Sequence, residues 1–128
     1  MRVFATKVFA RFKRKERLDD KRLCEAVTRA ERDSIDAELG ANLIKQRVAR
    51  QGGGRSGGYR TVIAYRASQR SVFLYGFAKN ERGNIDDREL DGLKKLAKQF
   101  LNYTDDQIAT AVKQSELEEI SCDDQEEE

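Results

Sequence analysis

Histidine is missing from this chain altogether, which removes the side chain that most often moves protons near neutral pH. Any nuclease built from these residues has to cut RNA without the usual proton-transfer pair. Cysteine is scarce: Cys24 and Cys122 lie far apart without metal-ligand spacing, and with no histidine beside them a structural zinc site is excluded. Two such cysteines fit a reducing compartment better than a disulfide scaffold, with Cys24 a small core residue on a helix and Cys122 exposed in a tail. No apolar run approaches the roughly 18 residues that a membrane span needs. The segment from Met1 to Lys15 contains no acid, yet Lys7 and Arg11 interrupt its apolar residues, so it fails as a secretory signal. The expected location is the cytoplasm, with no membrane contact.

Apolar residues are also in short supply, at 38%, and charged residues equal them at 38%. With 128 residues the chain is one small, highly solvated domain that still buries a core of its own. Its net charge of +2 hides a separation: residues 1–82 carry an excess of 11 positive charges and residues 83–128 an excess of 9 negative ones. Acids are nearly absent between Ala41 and Arg82, where nine Lys or Arg face Glu81 alone. Such a segment seeks phosphate.

That segment holds three runs rich in β-branched and aromatic residues, Leu43–Arg50, Tyr59–Arg66 and Ser71–Lys79, which predict an antiparallel meander. Alternation places Lys45 and Arg47 on one face of the first run, opposite Ile44, Gln46 and Val48. In the second it groups Arg60 with Val62 and Ala64, and Tyr59 with Ile63 and Tyr65. In the third it groups Phe73, Tyr75 and Phe77 with Lys79. Gln51–Gly58 is glycine-rich but lacks the Gly-Lys-Ser/Thr ending of a phosphate loop and precedes a strand, so it predicts a mobile hairpin loop.

Before the meander, Arg2–Ala5 predicts a short strand and Val8, Phe9 and Phe12 a helix capped by Thr6. Asp19 or Asp20 caps a second helix that buries Leu23, Val27 and Ala30, leaves Arg22, Glu25, Arg29 and Arg32 solvated, and ends at Gly40. After the meander, Asp86 with Glu89 forms a capping box for a helix burying Leu90, Leu93, Leu96, Ala97 and Phe100. Thr104 with Gln107 opens a weaker helix to about Ser115. From Glu116 to Glu128 there are eight acids and no base, which predicts disorder.

The groups available for chemistry are Lys45, Arg47, Arg60, Lys79 and Arg82. They bind phosphate, and they stabilise the charge that develops on phosphorus when a ribose 2′-hydroxyl attacks. The proton acceptor is left among a lysine of depressed pKa, Tyr59 or Tyr75, and Glu81. Arg66 and Arg70 flank a tight turn and are expected to be solvated. Lysines at a sheet edge also guard against aggregation, and Tyr65, Phe73 and Phe77 fit a core as well as a stacking platform.

Leu43–Arg50, Gly57–Arg66 and Phe73–Ile85, with Arg14–Leu18 and Leu23–Val27, closely resemble the RelE superfamily of bacterial toxins, and most of all its HigB-like branch. The resemblance covers residues 1 to about 103. It implies a compact α+β fold, with two N-terminal helices packed on a small antiparallel sheet and a C-terminal helix. On that reading residues 1–103 form the toxin domain, 104–115 a helical extension and 116–128 an acidic disordered tail. It further implies the toxin of a type II toxin–antitoxin system, a ribosome-dependent mRNA endoribonuclease needing no metal or other cofactor. Carried over by position, Arg60, Lys79 and Arg82 become the catalytic residues, with Lys45 and Arg47 holding RNA together with Arg50 and Arg55. The implied partners are mRNA on the ribosome and a cognate antitoxin of helix-turn-helix type. A ParE-like gyrase poison and a non-catalytic RNA- or ribosome-binding protein are the alternatives.

Overall fold

Helix starts in this protein fall where a side chain can accept the first free backbone N–H groups. Thr6 accepts from the N–H of Phe9 and opens α1 (Lys7–Glu16), and Asp19 accepts from that of Arg22 and opens α2 (Asp20–Glu31). Both expected capping boxes are present, Asp86 with Glu89 at α3 (Asp87–Asn102) and Thr104 with Gln107 at α4 (Asp105–Lys113). The computed structural model describes residues 1–50 and 57–122. Its strands are β1 (Arg2–Thr6), β2 (Ala37–Gly40), β3 (Leu43–Val48), β4 (Tyr59–Arg66), β5 (Arg70–Ala78) and β6 (Leu117–Ile120). They form one sheet in the order β2-β3-β4-β5-β1-β6, antiparallel except where β1 runs parallel to β5.

The expected α+β architecture is present, with helices on both faces of the sheet. Ile44, Val48, Tyr59, Ile63 and Phe73 join Phe9, Leu23 and Val27 in a core beneath α1 and α2. Leu43, Val62, Ala64, Val72 and Leu74 join Leu93, Ala97, Phe100 and Ile108 in a second core beneath α3 and α4. Strict alternation fails in β5. Val62 faces Tyr75 but Ile63 faces Phe73, so Leu74 is an extra residue and the strand bulges there. The bulge inverts the phase: Phe73 enters the α1–α2 core, whereas Tyr75 turns to the α3 side and packs on Phe77, with ring centroids 6.1 Å apart.

Several other expectations are corrected. α2 ends at Glu31, and Gly40 instead closes the short edge strand β2, entering with Ala41 and Asn42 a left-handed turn to β3. Arg29 is not solvated, for its guanidinium binds Asp36 and the carbonyl of Arg47. Val8 is exposed, and so is Leu96, which the apolar stripe of its helix was expected to bury. Arg66 and Arg70 leave the turn to reach the C-terminal end of α3. Arg66 donates to the Leu101 carbonyl at 2.9 Å, and Arg70 to those of Phe100 at 2.9 Å and Tyr103 at 2.8 Å. α3 has no basic residue in its last turn, so these two arginines supply the cations that its free carbonyls attract.

Part of the acidic tail is a strand where disorder was expected, and residues 123–128 lie outside the described residues. Leu117–Ile120 pairs antiparallel with β1, burying Leu117 in one core and Ile120 in the other. Its two acids are met by cations, Glu119 by Arg2 through two bonds of 2.9 Å and Glu118 by Arg14 at 3.1 Å. Just beyond, Cys122 forms a disulfide with Cys24 of α2, their Cα atoms 5.6 Å apart, so the two thiols expected to be reduced are bonded. Composition alone showed neither the apolar pair nor the cations waiting opposite. Among the described residues no helix is long and apolar enough to cross a membrane.

Candidate nucleic-acid interface

The exposed side chains of β3 and β4 meet on the α3 side of the sheet, at the end where α3 begins. Strand register sets two rows there. Arg47 of β3 lies opposite Arg60 of β4, which lies opposite Phe77 of β5; one step along, Lys45 lies opposite Val62 and then Tyr75. Neighbouring strands are about 4.8 Å apart, so each row puts its polar heads within reach of one phosphodiester. Like charges directly opposite each other destabilise a sheet, and Asp36, beside Arg47, offsets part of the cost of the Arg47–Arg60 pair.

The surroundings of each cation differ. Arg60 is half-buried, and burial first, then the neighbouring Arg47, push its guanidinium below its ordinary value, with Asp36 acting in the opposite sense. It remains charged at any working pH. Arg47 lies 3.6 Å from Asp36, whose carboxylate also accepts the Arg47 backbone N–H at 2.8 Å. Although burial opposes it, the bonds from Arg47 and Arg29 hold the Asp36 carboxyl below its usual range.

Arg82 closes the face from the loop after β5. Its guanidinium donates to both carboxylate oxygens of Glu89, at 2.5 and 3.0 Å, to the Tyr75 hydroxyl at 3.0 Å and to the Asn84 carbonyl at 2.9 Å. It also lies over the Phe77 ring, 5.4 Å from the centroid. The Arg82 bond first, then the Asp86 backbone N–H, hold the Glu89 carboxyl down to about 2. The same loop is tied to β3 by Lys45, which donates to Asn84 Oδ1 at 3.2 Å.

The structure thus gathers Lys45, Arg47, Arg60 and Arg82 on one face. Lys79 is exposed one residue past β5, where its backbone N–H bonds the Gly58 carbonyl at 3.2 Å. Arg50 goes elsewhere: its guanidinium lies 5.4 Å from the Tyr59 ring, which packs on Phe12 of α1 beneath the opposite face. Arg55 and most of the glycine-rich loop lie outside the described residues. Of the two tyrosines considered as proton acceptors, Tyr59 points to the α1 side, where burial and a bond to Glu16 raise its pKa. Tyr75 borders Arg82. No group of three or more acids or cysteines among the described residues could hold a metal ion.

Sequence reasoning missed Asp36, Asn84 and the second role of Glu89. Glu89 was legible as a cap from the Asp86-x-x-Glu89 spacing, but its bond to Arg82 crosses a loop and leaves no local signal. Along residues 1–120 the chain matches a family model described as RelE toxin of RelE / RelB toxin-antitoxin system. No curated protein matches the chain at a significant level.

Proposed function

This chain belongs to the RelE toxin family of RelE/RelB toxin–antitoxin systems, and from that premise and its basic face we propose that it is a cytoplasmic, ribosome-dependent mRNA endoribonuclease that arrests translation. The observation that carries the reading is the row Arg47, Arg60, Phe77 with Arg82 closing over it. A dianionic phosphorane is the species such a set of fixed cations stabilises better than the substrate's single negative charge.

In the proposed reaction the ribose 2′-oxygen forms a bond to the adjacent phosphorus while the bond to the 5′-oxygen breaks, leaving a cyclic phosphate and a free 5′-hydroxyl. The 2′-hydroxyl proton passes to a base and a second proton reaches the departing 5′-oxygen. Arg60 takes the non-bridging oxygens, Lys79 or Arg82 the charge on the leaving side, and Lys45 with Arg47 the backbone. Four of the five Arg82 N–H groups are already engaged, so Arg82 acts through the fifth or after exchanging a bond with Glu89. Tyr75, the tyrosine on this face, is the assigned proton acceptor, acting as its phenolate, and solvent water gives the second proton to the departing 5′-oxygen. Without histidine this set is weak at moving protons, which is the reason the reaction depends on the ribosome to orient mRNA. No metal or other cofactor takes part.

A RelB antitoxin is the partner that family membership implies, and we assign it a helix-turn-helix DNA-binding domain that represses the operon. The test is primer extension on a defined mRNA in a reconstituted translation reaction, with and without ribosomes, for wild type and Arg60→Ala. Breaks that require ribosomes and fall by about 100-fold or more in the variant are expected, the usual loss when one oxyanion donor is removed. Undiminished cutting by Arg60→Ala overturns the role given to Arg60. No breaks in wild type overturn the nuclease reading in favour of gyrase inhibition, read by a supercoiling assay, or of ribosome binding alone.

A further inference from the structure

Beyond the candidate interface, α3 carries a second basic surface that the proposed chemistry does not use. The helix is acidic on balance in its first half, where Asp87, Glu89 and Asp91 stand against Arg88, and basic in its second, which holds Lys94, Lys95 and Lys98 and no acid. The lysines stand before the last turn, which has no basic residue, and the helix dipole fades beyond that turn, so it does not account for them. Lys94 and Lys98 are four residues apart, a like-charge spacing that destabilises a helix. The ion pairs of α3 among the described residues do not include any of the three.

These lysines line a groove of about 470 Å³ with Arg66 of β4 and the Ala41–Asn42 turn, and no acid borders it. Arg66 is fixed there by its bond to the Leu101 carbonyl at 2.9 Å. Lys94 leans over the turn, its Nζ 3.7 Å from where a Cβ on Gly40 would lie. The groove adjoins the interface, because the Ala41–Asn42 turn leads directly into β3, which carries Lys45 and Arg47. Along α3 the distance from Glu89 to Lys98 is about 13 Å at the helical rise. A strand lying on Arg60 and Lys45 is therefore within reach of this groove.

We propose that the groove of Lys94, Lys95, Lys98 and Arg66 binds the phosphodiester backbone of the substrate RNA strand to one side of the cut. The proposal rests on the RNA-cleavage reading for its occupant. Such cations fix register and affinity without reading bases, so they act on every sequence alike.

The test is binding of 2′-O-methylated oligouridine and of a 2′-O-methylated uridine dinucleotide to the full chain, over a salt series, for wild type and Lys94→Gln/Lys95→Gln/Lys98→Gln. These probes lack the attacking hydroxyl, so binding is read apart from cleavage. Loss of three phosphate contacts lowers the slope of log affinity against log salt by about 2 for the long strand, and weakens it at least about tenfold, with dinucleotide binding and thermal melting unchanged. An unchanged slope overturns the proposal, as does a dinucleotide affinity that falls in step. A glutamate oligopeptide that competes as well as RNA overturns it in favour of an acidic protein partner. Normal oligouridine binding by a variant that no longer sediments with ribosomes overturns it in favour of ribosomal RNA. Wild type that cuts no mRNA while the variant still loses the slope rejects the nuclease reading and keeps the groove as an RNA site.

Discussion

Glu89 performs two tasks with one carboxylate, since it closes the capping box of α3 and holds Arg82 against Tyr75 and Phe77. Glutamine can do the first but cannot offer a charged, bidentate acceptor for the second. Glu89→Gln is therefore expected to keep the helix, read by circular dichroism, while lowering the proposed ribosome-dependent cleavage at least about tenfold through a misplaced Arg82. The pH dependence has a fixed sign. The Glu89 carboxyl lies at about 2 in the folded protein against an ordinary value of 4.5, so its stabilisation is complete above 4.5 and lost as pH falls toward 2. The difference in urea midpoint between wild type and Glu89→Gln should be widest above that range and close within it. At this scale the sequence was partly legible. Alternation put Lys45 with Arg47 on one face of β3 and Arg60 with Val62 and Ala64 on one face of β4, but how the two strands face each other is settled only by their register. Partners that meet across a loop, as Arg82 and Glu89 do, leave no periodic trace.

A single extra residue decides which face the aromatics of β5 serve. With Leu74 inserted, Tyr75 and Phe77 support Arg82 while Phe73 fills the core under α1; without it, the phase read from the sequence would have put all three rings together. A bulge adds no distinctive residue to a run such as Phe73-Leu-Tyr75, which is why regular alternation misjudged it. Gly76 shows the packing side of the same segment. A Cβ there would lie 2.6 Å from Phe12 and 3.0 Å from Phe9, so α1 can lie this close to β5 only over a glycine. Gly76→Val should cost about 1–3 kcal/mol by overpacking, measured by urea denaturation, and should weaken the site as well, because Tyr75 and Phe77 flank it. The helices were legible through their caps and apolar stripes. β2 and β6 were not, being four residues each with few apolar side chains.

Over the whole molecule, charge is separated along the chain and brought back together in space: Arg2 and Arg14 meet Glu119 and Glu118 where β6 docks. Disorder was expected of the tail because its own composition offers nothing to neutralise eight acids; the fold brings cations to two of them, Glu118 and Glu119. The Cys24–Cys122 disulfide, 98 residues apart in sequence, fastens the same segment. Reduction, or Cys24→Ser with Cys122→Ser, should lower stability by about 2–4 kcal/mol, read as a fall in urea midpoint under a dithiol that the double variant no longer shows. β1 belongs to this scale too. Ala5 is held on one side by Phe73 and on the other by Glu118, so β1 bonds only to segments made much later. Its backbone groups stay unpaired through most of synthesis, and the sheet closes slowly, against a large chain-closure entropy. Timing follows from this topology: a chain assembled in this order reaches its finished form only after its message has been read past Ile120, so the activity proposed above would not act on the ribosome that is making it.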